Sequence, residues 1–131
     1  LLNRMSNYQN ITFHGLLSQN KLSTLLKNID LHVFPSKSEG QGKVIVEVAS
    51  ARVPTITYSQ YGAREWIKDG SEGLVVDEFQ DMVSSIKQLL DSPTGLRDLS
   101  EGTKDLASRM DPEKLCNKFA EKFIELYKNR Y

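Results

Sequence analysis

Ser38-Glu39-Gly40-Gln41-Gly42-Lys43-Val44-Ile45-Val46-Glu47 is the stretch on which the reading of this chain turns. Two carboxylates are separated by seven intervening residues, Glu39 on a glycine-flanked turn and Glu47 inside the apolar run that follows. The segment before them, Leu31-His32-Val33-Phe34-Pro35, reads as a buried strand stopped by proline. The order is therefore strand, glycine turn, and a helix from about Gly42 to Ala51. Such a turn aims unpaired backbone N–H groups and the positive end of a helix dipole at one spot, which suits phosphate. A carboxylate repels phosphate but accepts hydrogen bonds from sugar hydroxyls, so glycines, N–H groups and two glutamates together point to a nucleotide-sugar. Glu47 falls in the second helical turn, roughly 7 Å along the axis from the N-terminus. That is about the separation of a diphosphate from its ribose. The same spacing also fits a glycine turn with two solvated glutamates, because short glycine motifs recur by chance.

Working outward, Ile11-Thr12-Phe13-His14 reads as a short strand ending at Gly15. Ser18 is placed to cap a helix whose apolar positions Leu22, Leu25, Leu26 and Ile29 recur at helical spacing. Downstream, Pro54 opens a strand over Thr55–Tyr58, a short helix spans Ala63–Lys68 before the turn Asp69-Gly70, and Gly73–Val76 forms another strand. Beyond Asp77 the pattern is helical. Met82, Ile86, Leu89 and Leu90 share a face up to the break at Ser92-Pro93; Leu96, Leu99 and Leu106 mark the next helix; Pro112 opens the last one. That helix aligns Leu115, Phe119, Phe123, Leu126 and Tyr127, a stripe expected to be core, or to pack at its end on a further domain. Strands alternating with helices predict an α/β fold, a Rossmann-like parallel sheet with helices on both faces. Ligands of such sheets bind beyond the carboxyl ends of the strands, where the turns after His14, Phe34 and Thr57 gather.

Composition narrows the classes. The 131 residues suffice for one domain with a real core, and 39% hydrophobic with 26% charged residues is ordinary for a globular protein. Seventeen basic residues balance seventeen acidic ones, so no field for nucleic acid or anionic lipid is implied. The one cysteine, Cys116, excludes a disulfide framework and a thiolate zinc site, and fits a reducing compartment. No apolar run reaches transmembrane length, and no signal peptide is expected. The opening Leu1-Leu2-Asn3-Arg4-Met5 resembles the tail of a helix, so the chain is expected to be a piece of a longer protein.

With those residues placed, the chain resembles the C-terminal, donor-binding domain of retaining GT-B glycosyltransferases of the large fourth family, the glycosyl transferases group 1. Asn10-Ile11-Thr12-Phe13-His14-Gly15 resembles that family's V-x-F-x-G strand and loop. Phe34-Pro35-Ser36 followed by Glu39-Gly40-Gln41-Gly42 resembles P-S-x-x-E-G-F-G, and Glu47-Val48-Ala49 with Val53-Pro54 resembles E-A-x-A-x-G-x-P. Gly62-Ala63-Arg64-Glu65 and Asp69-Gly70-Ser71-Glu72-Gly73-Leu74-Val75 resemble G-x-x-E and D-G-x-x-G-x-L-V. The match runs in register from about Asn10 to Val76, with family-like helices to the end.

The resemblance implies roles and partners. Residues 1–131 would form a partial nucleotide-sugar-binding domain, the C-terminal half of a GT-B enzyme with the first part of the domain missing. Glu39 would be the catalytic residue beside the donor sugar, and Glu47 would hold the ribose hydroxyls. Backbone N–H groups of Gly40, Gln41, Gly42, Lys43 and Val44 would meet the diphosphate and sugar, and Gly15 and Leu16 would border the base. The implied reaction moves a sugar from a nucleoside-diphosphate sugar to a glycan, lipid or small-molecule acceptor with retention, in polysaccharide or glycoconjugate biosynthesis. No cofactor or essential metal is implied, because helix dipoles and basic groups neutralise the leaving diphosphate. The acceptor, glycan or lipid-linked, would be held by a missing N-terminal domain. The protein would be cytoplasmic, with peripheral association at the cytoplasmic face of a membrane. The family's phosphate-binding basic residues would lie upstream of Leu1, so this piece alone is expected not to catalyse.

Departures from the pattern are Gln41 in place of an aromatic or apolar residue, Arg52 in place of a glycine, and Tyr61 in place of the first of two glycines. Arg52 is expected to be solvated, Trp66 to pack on a helix or the core, and His14 and His32 to have no metal role. A non-catalytic nucleotide-binding or assembly domain of the same fold is the alternative; the intact glutamates favour the enzyme. A dinucleotide-binding oxidoreductase would need G-x-G-x-x-G after the first strand, and a phospho-acceptor regulator an aspartate where Phe34-Pro35-Ser36 stands. Neither is present.

Overall fold

The computed structural model describes residues 10–38 and 42–128. In chain order the elements are α1 (Gln19–Leu26), β1 (His32–Phe34), α2 (Lys43–Ser50), β2 (Thr55–Tyr58), a 3₁₀ turn (Gln60–Gly62), α3 (Ala63–Trp66), β3 (Gly73–Val76), α4 (Phe79–Leu90), α5 (Pro93–Arg109) and α6 (Pro112–Lys128). The three strands form a parallel sheet in the order β1-β2-β3, with Val33 opposite Ile56 and Ile56 opposite Leu74. Every residue of β2 is buried, as expected of a central parallel strand covered on both faces. Both faces are indeed covered. Ile45 and Ala49 of α2 and Leu106 of α5 pack with Val75 on one face. Met82 of α4 packs with Ile56 and Tyr58 on the other. Leu26 of α1 meets Val48 and Val53, joining α1 to α2. Burying each large apolar side chain stabilises the fold by about 1.5–3 kcal/mol.

Helix starts follow local chemistry. Ser18 occupies the cap position of α1, but its hydroxyl makes no capping bond; its carbonyl accepts the Leu22 N–H at 2.9 Å. Ser92 Oγ accepts the Gly95 N–H at 3.3 Å, with Pro93 in the first turn of α5. Asp111 Oδ1 accepts the N–H groups of Glu113 and Lys114 at 3.0 and 3.1 Å, capping α6 beside Pro112.

Two expectations fail for one reason. Ile11–His14 is not a strand. A strand is held by its ladder, and the described residues give this segment no partner; β1 pairs with β2 and nothing described pairs with its other edge. The α6 stripe is not core either: Phe119 is 63%, Phe123 70% and Tyr127 70% exposed, because no described element buries them. Only Leu115 of that stripe is partly buried. The short helix expected over Ala63–Lys68 starts where read but stops at Trp66, and the 3₁₀ turn precedes it. Trp66 does pack against the core. His32 is half-buried, its Nδ1 3.1 Å from Thr55 Oγ1, and burial holds the ring below the ordinary 6.5. Arg52 is exposed but paired: its Nη1 donates to Glu101 Oε1 at 3.3 Å. Its φ is +66°, the left-handed region that explains the glycine usual there and costs a side chain about 1 kcal/mol. The Ser100 hydroxyl, donating to the Arg52 carbonyl at 2.7 Å, helps hold that conformation.

At Gly102 the backbone of α5 runs close against the turn at Ser71. A Cβ there would sit 1.9 Å from the Ser71 carbonyl oxygen and 2.9 Å from its carbon. Helix propensity favours alanine by about 1 kcal/mol. The clash is with backbone, so the helix has to move, and overpacking of this kind costs about 1–3 kcal/mol. Gly102→Ala is therefore expected to lower the urea midpoint. A variant as stable as the parent would mean that α5 does not press on the Ser71 turn.

Candidate nucleotide-sugar site

The site begins with the period of α2. Ile45, Val48 and Ala49 are buried, which leaves Lys43, Glu47 and Ser50 on the solvent face. Gly42 occupies the N-cap position, and its carbonyl accepts the Ile45 N–H at 2.9 Å. Lys43 and Val44 open the helix, where backbone N–H groups lack intrahelical partners. The Val44 side chain is tucked between two core clusters, so only its backbone is offered to a ligand. Glu47 follows Lys43 by one turn, about 6 Å along the axis. The β1 end that feeds this region is tied to β2 by the Thr57 hydroxyl, which donates to the Phe34 carbonyl at 3.0 Å. Lys37 lies over the Tyr58 ring, 5.4 Å from its centroid.

Glu39, Gly40 and Gln41 lie outside the described residues. Gly15 has φ +61° and Leu16 is fully exposed, three residues before α1 starts. The structure thus joins Gly42, Lys43, Val44 and Glu47 on one helix and sets Gly15 and Leu16 just ahead of the neighbouring one.

Glu47 borders two cavities. One, of about 320 Å³, lies between α1 and α2, with Gln19 and Ser23 facing Glu47 and Ser50 over a floor of Leu22 and Leu26. The other, of about 370 Å³, adds Lys43 and Val46 to Trp66, Met110, Pro112 and Leu115. Sequence reasoning missed Gln19, Ser23 and Met110. The polar spacing of α1 was visible, but nothing in it showed which polar residues face α2.

The second cavity is held by a buried ion pair. Glu72 is 1% exposed and accepts two bonds of 2.7 Å from the Arg109 guanidinium. It also accepts the Lys68 N–H at 3.0 Å, while Arg109 donates to the Trp66 carbonyl at 2.9 Å. The end of α5 is thereby locked to the turn that carries Trp66. Burial by itself pushes the Glu72 carboxyl up, but the Arg109 bonds, the Lys68 N–H and both positive charges together hold it below its ordinary 4.5.

Among the described residues, no three His, Cys, Asp or Glu side chains gather as a metal site. No helix among them is long and apolar enough to cross a membrane.

The comparisons with known proteins agree with one another. The sequence profile of the family described as Glycosyl transferases group 1 matches residues 3–106. Alpha-D-kanosaminyltransferase of Streptomyces kanamyceticus is 32% identical over 85 residues, covering 63% of this chain and 22% of that protein. D-inositol 3-phosphate glycosyltransferase of Thermobispora bispora is 30% identical over 109 residues, covering 82% and 26%. The chain thus spans about a quarter of the length of these relatives. Among solved structures, Anabaena HepE in complex with UDP and glucose superposes with a TM-score of 0.78 at 20% identity, over 95% of this chain and 34% of that one. This likeness supports the Rossmann-like GT-B fold. The family match spans well over half of the sequence, and this chain belongs to the glycosyl transferases group 1 family.

Proposed function

We propose that this chain is the donor-binding part of a retaining glycosyltransferase. It would move a sugar from a nucleoside-diphosphate sugar to a glycan, lipid or small-molecule acceptor in polysaccharide or glycoconjugate biosynthesis. The observation that carries the reading is Glu47, exposed on α2 one turn beyond the helix start and bordering both cavities. A carboxylate there accepts bonds from the two ribose hydroxyls, while the diphosphate lies at the N–H groups of Gly42, Lys43 and Val44. HepE, seen with UDP and glucose, supports a nucleotide as the ligand. Glu39 takes the role of stabilising the positive charge that grows at the anomeric carbon as the diphosphate leaves. The helix dipole and nearby cations offset the leaving charge, and no metal is required.

The test is isothermal titration of the full-length protein that carries this chain with nucleoside-diphosphate sugars. Glu47→Ala is expected to weaken binding by about 1–3 kcal/mol through loss of charge-assisted bonds to two hydroxyls. The fold should survive, since Glu47 is exposed. Titration curves unchanged by the substitution would remove the ribose role.

A further inference from the structure

α6 is 17 residues long and none of them is buried. Leu115 alone is partly buried, near the corner with α5. A helix of this length is marginal in water by itself, because most helical stability in proteins comes from packing an apolar face. α6 has such a face. Leu115, Phe119, Phe123 and Leu126 recur at the helical period, with Tyr127 at their side. Phe119, Phe123, Leu126 and Tyr127 are each more than half exposed. Single exposed apolar residues need no explanation, but a continuous stripe marks an interaction surface. The three aromatics expose roughly 100–150 Å² each, which with the leucines makes roughly 500 Å² per copy, or about 1,000 Å² for two, the lower bound of a specific interface.

The charges indicate what covers it. Lys114, Lys118, Lys122 and Lys128 are nearly balanced by Glu113, Glu121 and Glu125. A helix that lies on anionic lipid carries a strongly basic polar face, and α6 does not. Its pattern instead matches itself run in reverse. With two copies antiparallel about a two-fold axis at residue 121, Phe119 of one stands opposite Phe123 of the other, and Leu115 opposite Tyr127. Symmetry repeats each pairing, so one stripe serves both copies. Lys118 of one copy then falls beside Glu125 of the other, on the same flank of the pair. Among the described residues Lys118 makes no ion pair, and Glu125 accepts only from Lys122 of its own helix at 2.9 Å. A carboxylate has room for a second donor.

We propose that α6 is a dimerisation helix: a second copy of this chain covers the stripe, its own α6 running antiparallel. The interface involves none of the residues assigned to the nucleotide-sugar, so it stands independently of that reading.

The experiment is sedimentation of the full-length protein that carries this chain, over a range of concentrations. The parent should be a dimer at micromolar concentration. Phe119→Ser with Phe123→Ser should raise the dimer dissociation constant by about a hundredfold or more, since central aromatics anchor interfaces. Lys118→Glu, a surface change that leaves the fold intact, should raise it about tenfold, because each substitution acts twice. Adding Glu125→Lys to Lys118→Glu should restore the parent's value. A monomeric parent would overturn the proposal. A monomeric parent whose Phe119→Ser/Phe123→Ser variant melts lower at every concentration would assign the stripe to another part of the same protein. A monomeric parent that sediments with phosphatidylglycerol vesicles would assign it to a membrane. A dimer unmoved by the serine substitutions would place the interface elsewhere, and a charge exchange that restores nothing would overturn the antiparallel pairing.

Discussion

Glu39→Gln in the full-length protein is expected to lower kcat by about a hundredfold or more, with little change in the affinity for the donor. The substitution keeps the shape of the side chain and removes its charge. In the proposed reaction, positive charge develops at the anomeric carbon only as the bond to the diphosphate breaks. An interaction that strengthens only in the transition state appears in the rate rather than in ground-state binding. Losing one preorganised electrostatic contact of that type costs about 10²–10³ in rate. Initial rates with varied donor, beside direct titration of the same donor, separate the two effects. A normal kcat would reduce Glu39 to a turn residue. A loss of affinity with an unchanged kcat would move it from the chemistry to donor binding.

Arg109→Met is expected to destabilise the fold by about 3 kcal/mol, the low end for breaking a buried ion pair, because the Arg109 side chain is 37% exposed. Glu72, at 1%, would remain buried without its main partner. The pH dependence identifies the cause. In the parent the folded-state carboxyl titrates below its unfolded value of about 4.5, so its stabilisation is present above that value and is lost as pH falls through the lower folded one. Without Arg109, the effect of burial, which raises the carboxyl, gains the upper hand. The variant's deficit should then shrink on acidification, as the buried group takes up its proton. Adding Glu72→Gln to Arg109→Met should recover part of the loss at neutral pH. Urea unfolding at several pH values is the measurement. A deficit that does not change with pH would assign the loss to packing of the arginine stem rather than to its charge.

Much of the fold was legible because its signals are local. Pro54 and the turn at Asp69-Gly70 bound two apolar runs, and β2 and β3 fall on Thr55–Tyr58 and Gly73–Val76 as read. Spacing from the glycine turn put Glu47 in the second turn of a helix, and the structure sets it on the exposed face of α2 while Ile45, Val48 and Ala49 are buried. The motif order carried the family. Reading failed where a local pattern depends on a distant partner. Ile11–His14 alternates like a strand, yet no described residue supplies its ladder. The Phe119, Phe123 and Tyr127 stripe has the period of a buried face, yet among the described residues no element buries it.

By itself, then, the sequence determined the βα alternation and the family, because both are written in neighbouring residues. Tertiary structure alone decided three other things. Glu72, unremarkable in its turn, meets Arg109 from the far end of α5. Gly102 is pressed against the Ser71 carbonyl. Gln19 and Ser23 line one cavity with Glu47 because Leu26 packs against Val48 and Val53, which joins α1 to α2. Each of these depends on the packing of elements distant in sequence, and side-chain periodicity does not encode which elements meet.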